Sequence, residues 1–163
     1  MQTFYNDLKN KVVLITGASR GIGKDIALAL AEQKAHVVFN WRGEKDSAEN
    51  LIKELKDKGA SEANALYFDM TDYDKMKSEI DNFTKEIAPI SGLVNNAGIS
   101  KDSLMMRVKP EDIQNILDVN LKATMVLTNT LSRNFLKAKE VSIVNMSSVV
   151  GLMGNLSQTV YSA

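Results

Sequence analysis

The stretch "KVVLITGASRGIG", Lys11 to Gly23, decides the fold. Its first half, Lys11–Gly17, is a short, almost continuous apolar run rich in β-branched residues. Such runs are strands buried on both faces, as in a parallel sheet. Its second half, "TGASRGIG" from Thr16 to Gly23, follows that strand and opens a helix. Gly17, Gly21 and Gly23 allow a tight turn, a close phosphate approach and tight packing of helix on sheet. The helix N-terminus offers unpaired N–H groups and a positive dipole end to a pyrophosphate. The spacing is G-x-x-x-G-x-G rather than the commoner G-x-G-x-x-G, and the alternative is a glycine turn with no ligand.

Four further runs read as buried strands: Ala35–Asn40, Asn64–Asp69, Ser91–Asn96 and Val141–Met146. Helical patterns lie between them. Ala48, Leu51, Ile52 and Leu55 share one face, with Glu49/Lys53 and Glu54/Lys58 as i,i+4 pairs opposite. Met76, Ile80, Phe83 and Ile87 form a second stripe, for which Thr71 with Asp74 resembles a capping box. Pro110 suits the first turn of a long helix to about Phe135, with Ile113, Leu117, Asn120, Thr124, Leu127 and Leu131 inward. The order βαβαβαβαβ predicts an α/β fold, a Rossmann-type doubly wound parallel sheet of strand order 3-2-1-4-5. Residues 1–163 read as a single dinucleotide-binding domain. Ligands in such sheets bind at the strand C-terminal ends, here between the first and fourth strands.

Bulk properties narrow the function. Lys+Arg and Asp+Glu both total 20, so no basic excess points to nucleic acid. With no cysteine there is no disulfide framework and no thiolate nucleophile. No apolar run approaches membrane-spanning length, and the chain reads as a soluble cytoplasmic protein with no membrane partner. One histidine, His36, cannot make a zinc cluster, so no metal is expected and a structural role at a strand start is the better reading.

The second strand ends Asn40-Trp41-Arg42-Gly43, without the acid that would hold the free ribose hydroxyls of NAD. Arg42 and Arg20 can converge on a 2′-phosphate, which favours NADP; the alternative has both merely solvated. Asp69 can accept from the adenine amino group or cap the next helix. Asn95 and Asn96 end a buried strand, where an unpaired amide costs about 1–3 kcal/mol, so they need partners. Asn95 is read as tying neighbouring loops, and Gly98 as allowing close approach of the cofactor ribose. Asn120 lies among aliphatic neighbours and is aimed at the ligand crevice, unless it is a satisfied core amide or a helix-kink device. Ser147 and Ser148 follow the fifth strand, with Tyr161 thirteen residues after Ser148. Two hydroxyls at that edge can reach one substrate carbonyl oxygen. A serine nucleophile is not expected, because His36 sits at the opposite edge of the sheet.

"TGASRGIG", "NNAG", the Asn of "VNLKA", the second Ser of "MSS" and Tyr161 together resemble the short-chain dehydrogenase/reductase family. The resemblance runs from about Leu8 to the last residue. "NNAGISKDSLMMRVKPEDIQNILDVNLKA" and "NMSSVVGLMGNLSQTVYSA" look most like bacterial 3-oxoacyl-[acyl-carrier-protein] reductases. That resemblance implies hydride transfer from NADPH to a β-keto thioester. It implies that Tyr161 protonates the developing alkoxide, Ser148 hydrogen-bonds that oxygen, and Asn120 holds a water in a proton relay. Thr16, Gly17, Ser19, Arg20, Gly21, Ile22, Gly23, Asn96, Ala97 and Gly98 are then expected to line the cofactor, with Arg42 at its 2′-phosphate and Asp69 at its adenine. The family also implies a homodimer or homotetramer with the long helix in one interface. Lys137 and Lys139 are candidates to face an acidic carrier protein, or simply complement the helix dipole. Leu104, Met105 and Met106 either border the acyl site or pack in the core.

The family motif is Tyr-x-x-x-Lys, and the lysine position falls after Ala163. Relative to the family, the C-terminal third is expected to be missing, which leaves the fifth strand as an exposed edge. The break inside a motif reads as a sequence that stops short of the whole protein, or a cut chain, rather than a natural short one. The 163-residue chain alone is expected to have negligible ketoreductase activity. The competing readings are a non-catalytic Rossmann fragment that binds nucleotide or a partner chain, and another alcohol, sugar or steroid dehydrogenase of the same family.

Overall fold

The computed structural model describes residues 5–138 and 140–163. Five strands, β1 (Val12–Ile15), β2 (His36–Trp41), β3 (Glu62–Tyr67), β4 (Gly92–Asn95) and β5 (Ser142–Asn145), form one sheet of order β3-β2-β1-β4-β5. Every pairing is parallel; β1 registers Leu14 against Val38 on one side and Leu93 on the other. The expected doubly wound topology is therefore the observed one. Helices α1 (Gly21–Glu32), α2 (Lys45–Asp57) and α3 (Tyr73–Glu86) connect the first four strands. The next connection holds α4 (Pro110–Leu117), a π turn (Asp118–Lys122) and α5 (Ala123–Phe135) in one helical run. Two single-turn helices, α6 (Val150–Met153) and α7 (Thr159–Ser162), follow β5.

Strand alternation divides the core in two. Val12 and Leu14 join Val38, Leu66, Leu93, Met76, Ile80, Phe83, Leu127 and Leu131 under α3 and α5. Val13 and Ile15 join Val37, Phe39, Val94, Ala27, Ala31, Leu51 and Leu55 under α1 and α2. The small residues of α1 let it lie close to the sheet, which sets the height of the loop before it. His36 is buried at the start of β2, with Nε2 2.6 Å from Asn64 Oδ1 and its ring edge-on to Phe83. The structural reading of His36 holds.

Several local expectations are corrected. The N-cap of α3 is Asp72, whose side chain accepts from Lys75 N–H, not the Thr71/Asp74 pair. Thr71 instead turns back onto Asp69, so its hydroxyl is already committed. Ile87, placed on the inner stripe of α3, is exposed at its C-cap, past the point where the helix faces the sheet. On α2, Glu54 pairs with Lys24 and Lys58 with Glu32, because α1 packs alongside and brings its charges closer than the i,i+4 neighbours. Along the helical run the fully buried positions are Ile116, Ala123, Leu127 and Leu131. Ile113, Leu117, Asn120 and Thr124 are half-buried. The first turns pack against the π turn and α7 rather than against the sheet, so fewer positions reach full burial there.

Among the described residues, no helix is long and apolar enough to cross a membrane. Among the described residues β5 pairs with β4 alone, and Ile143 and Val144 are exposed on it. Replacing Asp72 with Ala should cost about 0.5–2 kcal/mol by loss of the α3 cap. Denaturant unfolding should show this as a lower midpoint with an unchanged m value.

Candidate active site

The site begins where β1 and β4 end side by side. Thr16 is buried, and its Oγ1 accepts from the N–H groups of Asn96 (3.0 Å) and Ala97 (2.9 Å). Thr16 N–H donates to Val94 O, and Asn96 Nδ2 donates to Thr16 O (2.9 Å) and Gly17 O (3.3 Å). After this fastening the chain from β1 turns toward α1 and the chain from β4 toward α4, which opens the crevice of a topological switch point. Thr16 and Asn96 thus act as braces of the crevice through the groups that bind each other.

Gly17 sits at φ +70° and gives its N–H to Asn40 Oδ1 (2.8 Å). A Cβ on Gly23 would lie 2.3 Å from Gly17 O and 2.4 Å from Asn96 Nδ2, so only glycine permits this contact of helix and loop. Above Gly21 there is open space, with nothing within 4 Å of a built Cβ. Ser19, Arg20, Gly21 and Ile22 are exposed, and Ile22 stands 62% exposed in the first turn. Arg20 is the N-cap of α1; no side chain caps this helix start and no acid lies in its first turn. An open, uncapped helix start without carboxylate suits a phosphate group.

Asn40 was not singled out from the sequence beyond its lack of charge. Besides Gly17 N–H it contacts Phe68 O through Nδ2 (3.4 Å), so it laces the ends of β1, β2 and β3. The available signal was the same as at Asn95: an amide at a buried strand end. Two residues on, Arg42 Nη1 donates to Asp69 Oδ2 (3.1 Å). Asp69 Oδ1 accepts from Thr71 N–H (2.9 Å) and Thr71 Oγ1 (2.7 Å). The Thr71 backbone bond, joined by its hydroxyl and by Arg42, holds the Asp69 carboxyl below the usual aspartate range against the opposing effect of burial.

Asn95 donates through Nδ2 to Asn145 Oδ1 (2.8 Å) and Thr128 Oγ1 (3.4 Å), so it ties β4 to β5 and α5 rather than joining loops. Its Oδ1 is buried without a partner. Asn120 lies in the π turn, where Ala123 N–H bonds Asp118 O, five residues back. The Asn120 amide pairs with the Ile99 backbone, accepting from its N–H and donating to its C=O, each at 2.8 Å. It therefore braces the loop just after Gly98, which is exposed. One Asn120 N–H and one lone pair remain for other partners.

Ser148 Oγ accepts from Val150 N–H (3.2 Å) at the start of α6, which leaves its O–H free to donate. Tyr161 is half-buried on α7, which packs against α6 and α4. A clamp that the sequence did not announce holds that segment. Ser103 N–H donates to Ser157 O (2.7 Å), and Gln158 Nε2 donates to Asp102 Oδ1 (2.9 Å). Gln158 O in turn accepts from Ser162 N–H and Oγ, so the clamp carries directly into the turn bearing Tyr161. Partners 56 residues apart leave no local signal. Leu104, Met105 and Met106 are 44%, 60% and 87% exposed at a 3-10 turn beside this clamp, so they do not pack in the core of the described residues. Lys137 is exposed; Lys139 lies outside the described residues.

Comparison with known proteins gives consistent results. A sequence profile of the short chain dehydrogenases matches residues 11–163. The chain is 40% identical over 154 residues to the 3-oxoacyl-[acyl-carrier-protein] reductase FabG of Staphylococcus epidermidis, covering 94% of this chain and 63% of that protein. It is 40% identical over 156 residues to the 3-oxoacyl-[acyl-carrier-protein] reductase of Synechocystis sp., covering 96% and 63%. The crystal structure of a "putative short-chain alcohol dehydrogenase" from Sinorhizobium meliloti 1021 superposes with TM-score 0.87 at 30% identity, covering 95% of this chain and 61% of that one. The chain thus spans about 63% of the length of these curated relatives.

The Gly23 contact supplies a test. Gly23→Ala should destabilise the fold by about 1–3 kcal/mol through overpacking against a backbone oxygen that cannot swing away. Thermal unfolding should register the loss as a lower midpoint.

Proposed function

This chain belongs to the short-chain dehydrogenase family, and from that premise we propose that it forms the NADPH-binding and catalytic part of a 3-oxoacyl thioester reductase. The observation that carries this reading is the open, uncapped start of α1, braced by Thr16 and Asn96 at the switch point. The names of the two reductase relatives favour a β-keto thioester, carried on acyl carrier protein, as the substrate. Exposed Leu104, Met105 and Met106 supply an apolar border for an acyl chain. The same relationship favours a homodimer or homotetramer of the full-length protein.

When bound, the nicotinamide cofactor supplies the hydride. The first-turn N–H groups of α1 would hold the pyrophosphate, with Ser19, Arg20, Gly21 and Ile22 around it, and Ala97 and Gly98, next along the chain from Asn96, would line the ribose. The Ser148 O–H, free of any acceptor role conflict, donates to the carbonyl oxygen of the substrate. Tyr161 gives its phenolic proton to that oxygen as negative charge develops on it. Asn120 keeps the Ile99 peptide in place and has the capacity left to hold a water behind Tyr161. The Gln158–Asp102 clamp fixes the direction from which Tyr161 approaches.

Two assays test the proposal. Titration with NADPH and NADH, read by the fluorescence of Trp41 or by calorimetry, should show tighter binding of NADPH; equal binding or preference for NADH removes the cofactor reading. NADPH oxidation by the protein carrying this sequence should be faster with acetoacetyl thioester than with a panel of alcohols, sugars and steroids. Tyr161→Phe should cut that turnover by about 10²–10⁴-fold with nucleotide affinity unchanged. Nucleotide binding with no turnover of any substrate would favour a non-catalytic nucleotide-binding chain instead.

A further inference from the structure

We infer that Asp69 is a positioning residue for Arg42, and thereby sets selectivity for a 2′-phosphorylated adenosine. This rests on the NADP reading above and revises the part of it that places Asp69 at the adenine ring.

The carboxylate of Asp69 is engaged on both oxygens. Oδ1 takes two donors from Thr71, and Oδ2 takes Arg42 Nη1. A carboxylate offers about four lone-pair directions, and three are used. The two Thr71 bonds come from Asp69's own chain, two residues on, so they fix the carboxylate plane without help from a ligand. Ionisation is secured by the same bonds, which hold the carboxyl below the usual aspartate range. What the fixed carboxylate presents outward is Oδ2, and Arg42 is what meets it.

Arg42 needs such a partner. Its side chain is 77% exposed, and a long exposed arginine samples many rotamers. The Asp69 contact uses one of five guanidinium donors and leaves four for a phosphate. The backbone beneath the pair is already laced: Trp41 registers with Tyr67, and Asn40 joins Phe68 O on one side to Gly17 N–H on the other. Arg42 follows that lacing by two residues and Asp69 follows Phe68 by one. The pair is therefore held in the same frame as the phosphate loop. The chain from Thr71 to Asp69 to Arg42 prepays the ordering of the cation that a 2′-phosphate requires.

A direct adenine contact and a positioning role make different forecasts. Adenine is common to NAD and NADP, so loss of an adenine contact weakens both alike. Loss of positioning weakens only the 2′-phosphorylated ligand. The probes are 5′-AMP and 2′,5′-ADP, titrated by calorimetry against the full chain, wild type, Asp69→Asn, Arg42→Leu and the double variant. Asp69→Asn keeps an oxygen for Thr71 and removes the charge that holds Arg42.

Wild type should prefer 2′,5′-ADP. Asp69→Asn should weaken 2′,5′-ADP by about 2–5-fold, the scale of an exposed ion pair, and leave 5′-AMP unchanged. Arg42→Leu should weaken 2′,5′-ADP by about 10-fold or more. Adding Asp69→Asn to Arg42→Leu should then produce no further loss, because Asp69 acts through Arg42. Equal weakening of both probes by Asp69→Asn would return Asp69 to the adenine. Tighter or unchanged 2′,5′-ADP binding in Asp69→Asn, with Arg42→Leu still impaired, would overturn positioning and leave the NADP reading standing. If wild type binds both probes equally, or neither, and Arg42→Leu is silent, the NADP reading and this inference fall together.

Discussion

The hydroxyl of Thr16 accepts two backbone N–H groups from the neighbouring strand end, and much of the site depends on that small knot. In a parallel sheet, adjacent strands that lead to helices on opposite faces must part at their C-terminal ends. Parting exposes N–H and C=O groups that the ladder no longer satisfies, and buried unsatisfied groups are costly. Thr16 Oγ1 takes Asn96 and Ala97 N–H, while Asn96 Nδ2 covers Thr16 and Gly17 carbonyls. The polar residues at this position are thus required twice: once to end the strands without loss, and once to leave a defined gap between them.

The loop over that gap is shaped by what cannot be there. A side chain at Gly23 would collide with Gly17 O and Asn96 Nδ2, so α1 packs directly against the knot. The helix start is left uncapped and without a carboxylate, unlike α3, which carries its own Asp72 cap. α2 and α4 also begin without a side-chain cap, but each carries acid in its first turn, so the lack of a carboxylate is what sets the start of α1 apart and suits N–H groups that take an external anion. Asn40 extends the same frame sideways to the residue before Asp69, whose carboxylate meets Arg42 near the surface.

On the other side of the crevice the supports join residues 21 to 56 apart in the chain, closer in sequence than Thr16 and Asn96. Asn120 grips Ile99, and Gln158 with Ser157 grips Asp102 and Ser103. The π turn that carries Asn120 inserts a five-residue hydrogen bond into the helical run and turns the amide toward the loop. Beyond it, β5 and the two single-turn helices expose apolar side chains such as Ile143, Val144, Leu152 and Leu156. The half of the site around Thr16 is thus held by part-buried side chain–backbone bonds, and the half bearing Ser148 and Tyr161 by part-buried bonds together with the exposed Gln158–Asp102 contact.

The strand order, the phosphate loop and the grouping of Asn95, Asn96 and Gly98 at one strand end were legible in the sequence. They follow from local rules: β-branched runs, glycine spacing, and polar residues that interrupt an apolar pattern. The same rules misplaced the α3 cap at Thr71 and Asp74, because Thr71 is drawn off by Asp69 and adjacent polar residues compete for one role. They also missed Asn40 as a brace, the Asp102–Gln158 clamp and the bonds that join Asp69 to Thr71 and Arg42. The sequence by itself determined which residue types reach the strand ends, since periodicity and chain order leave little freedom there. Only the tertiary structure decided which of those polar groups bind each other and which remain open, because hydrogen bonds between segments 28 to 80 residues apart depend on packing that no local pattern encodes.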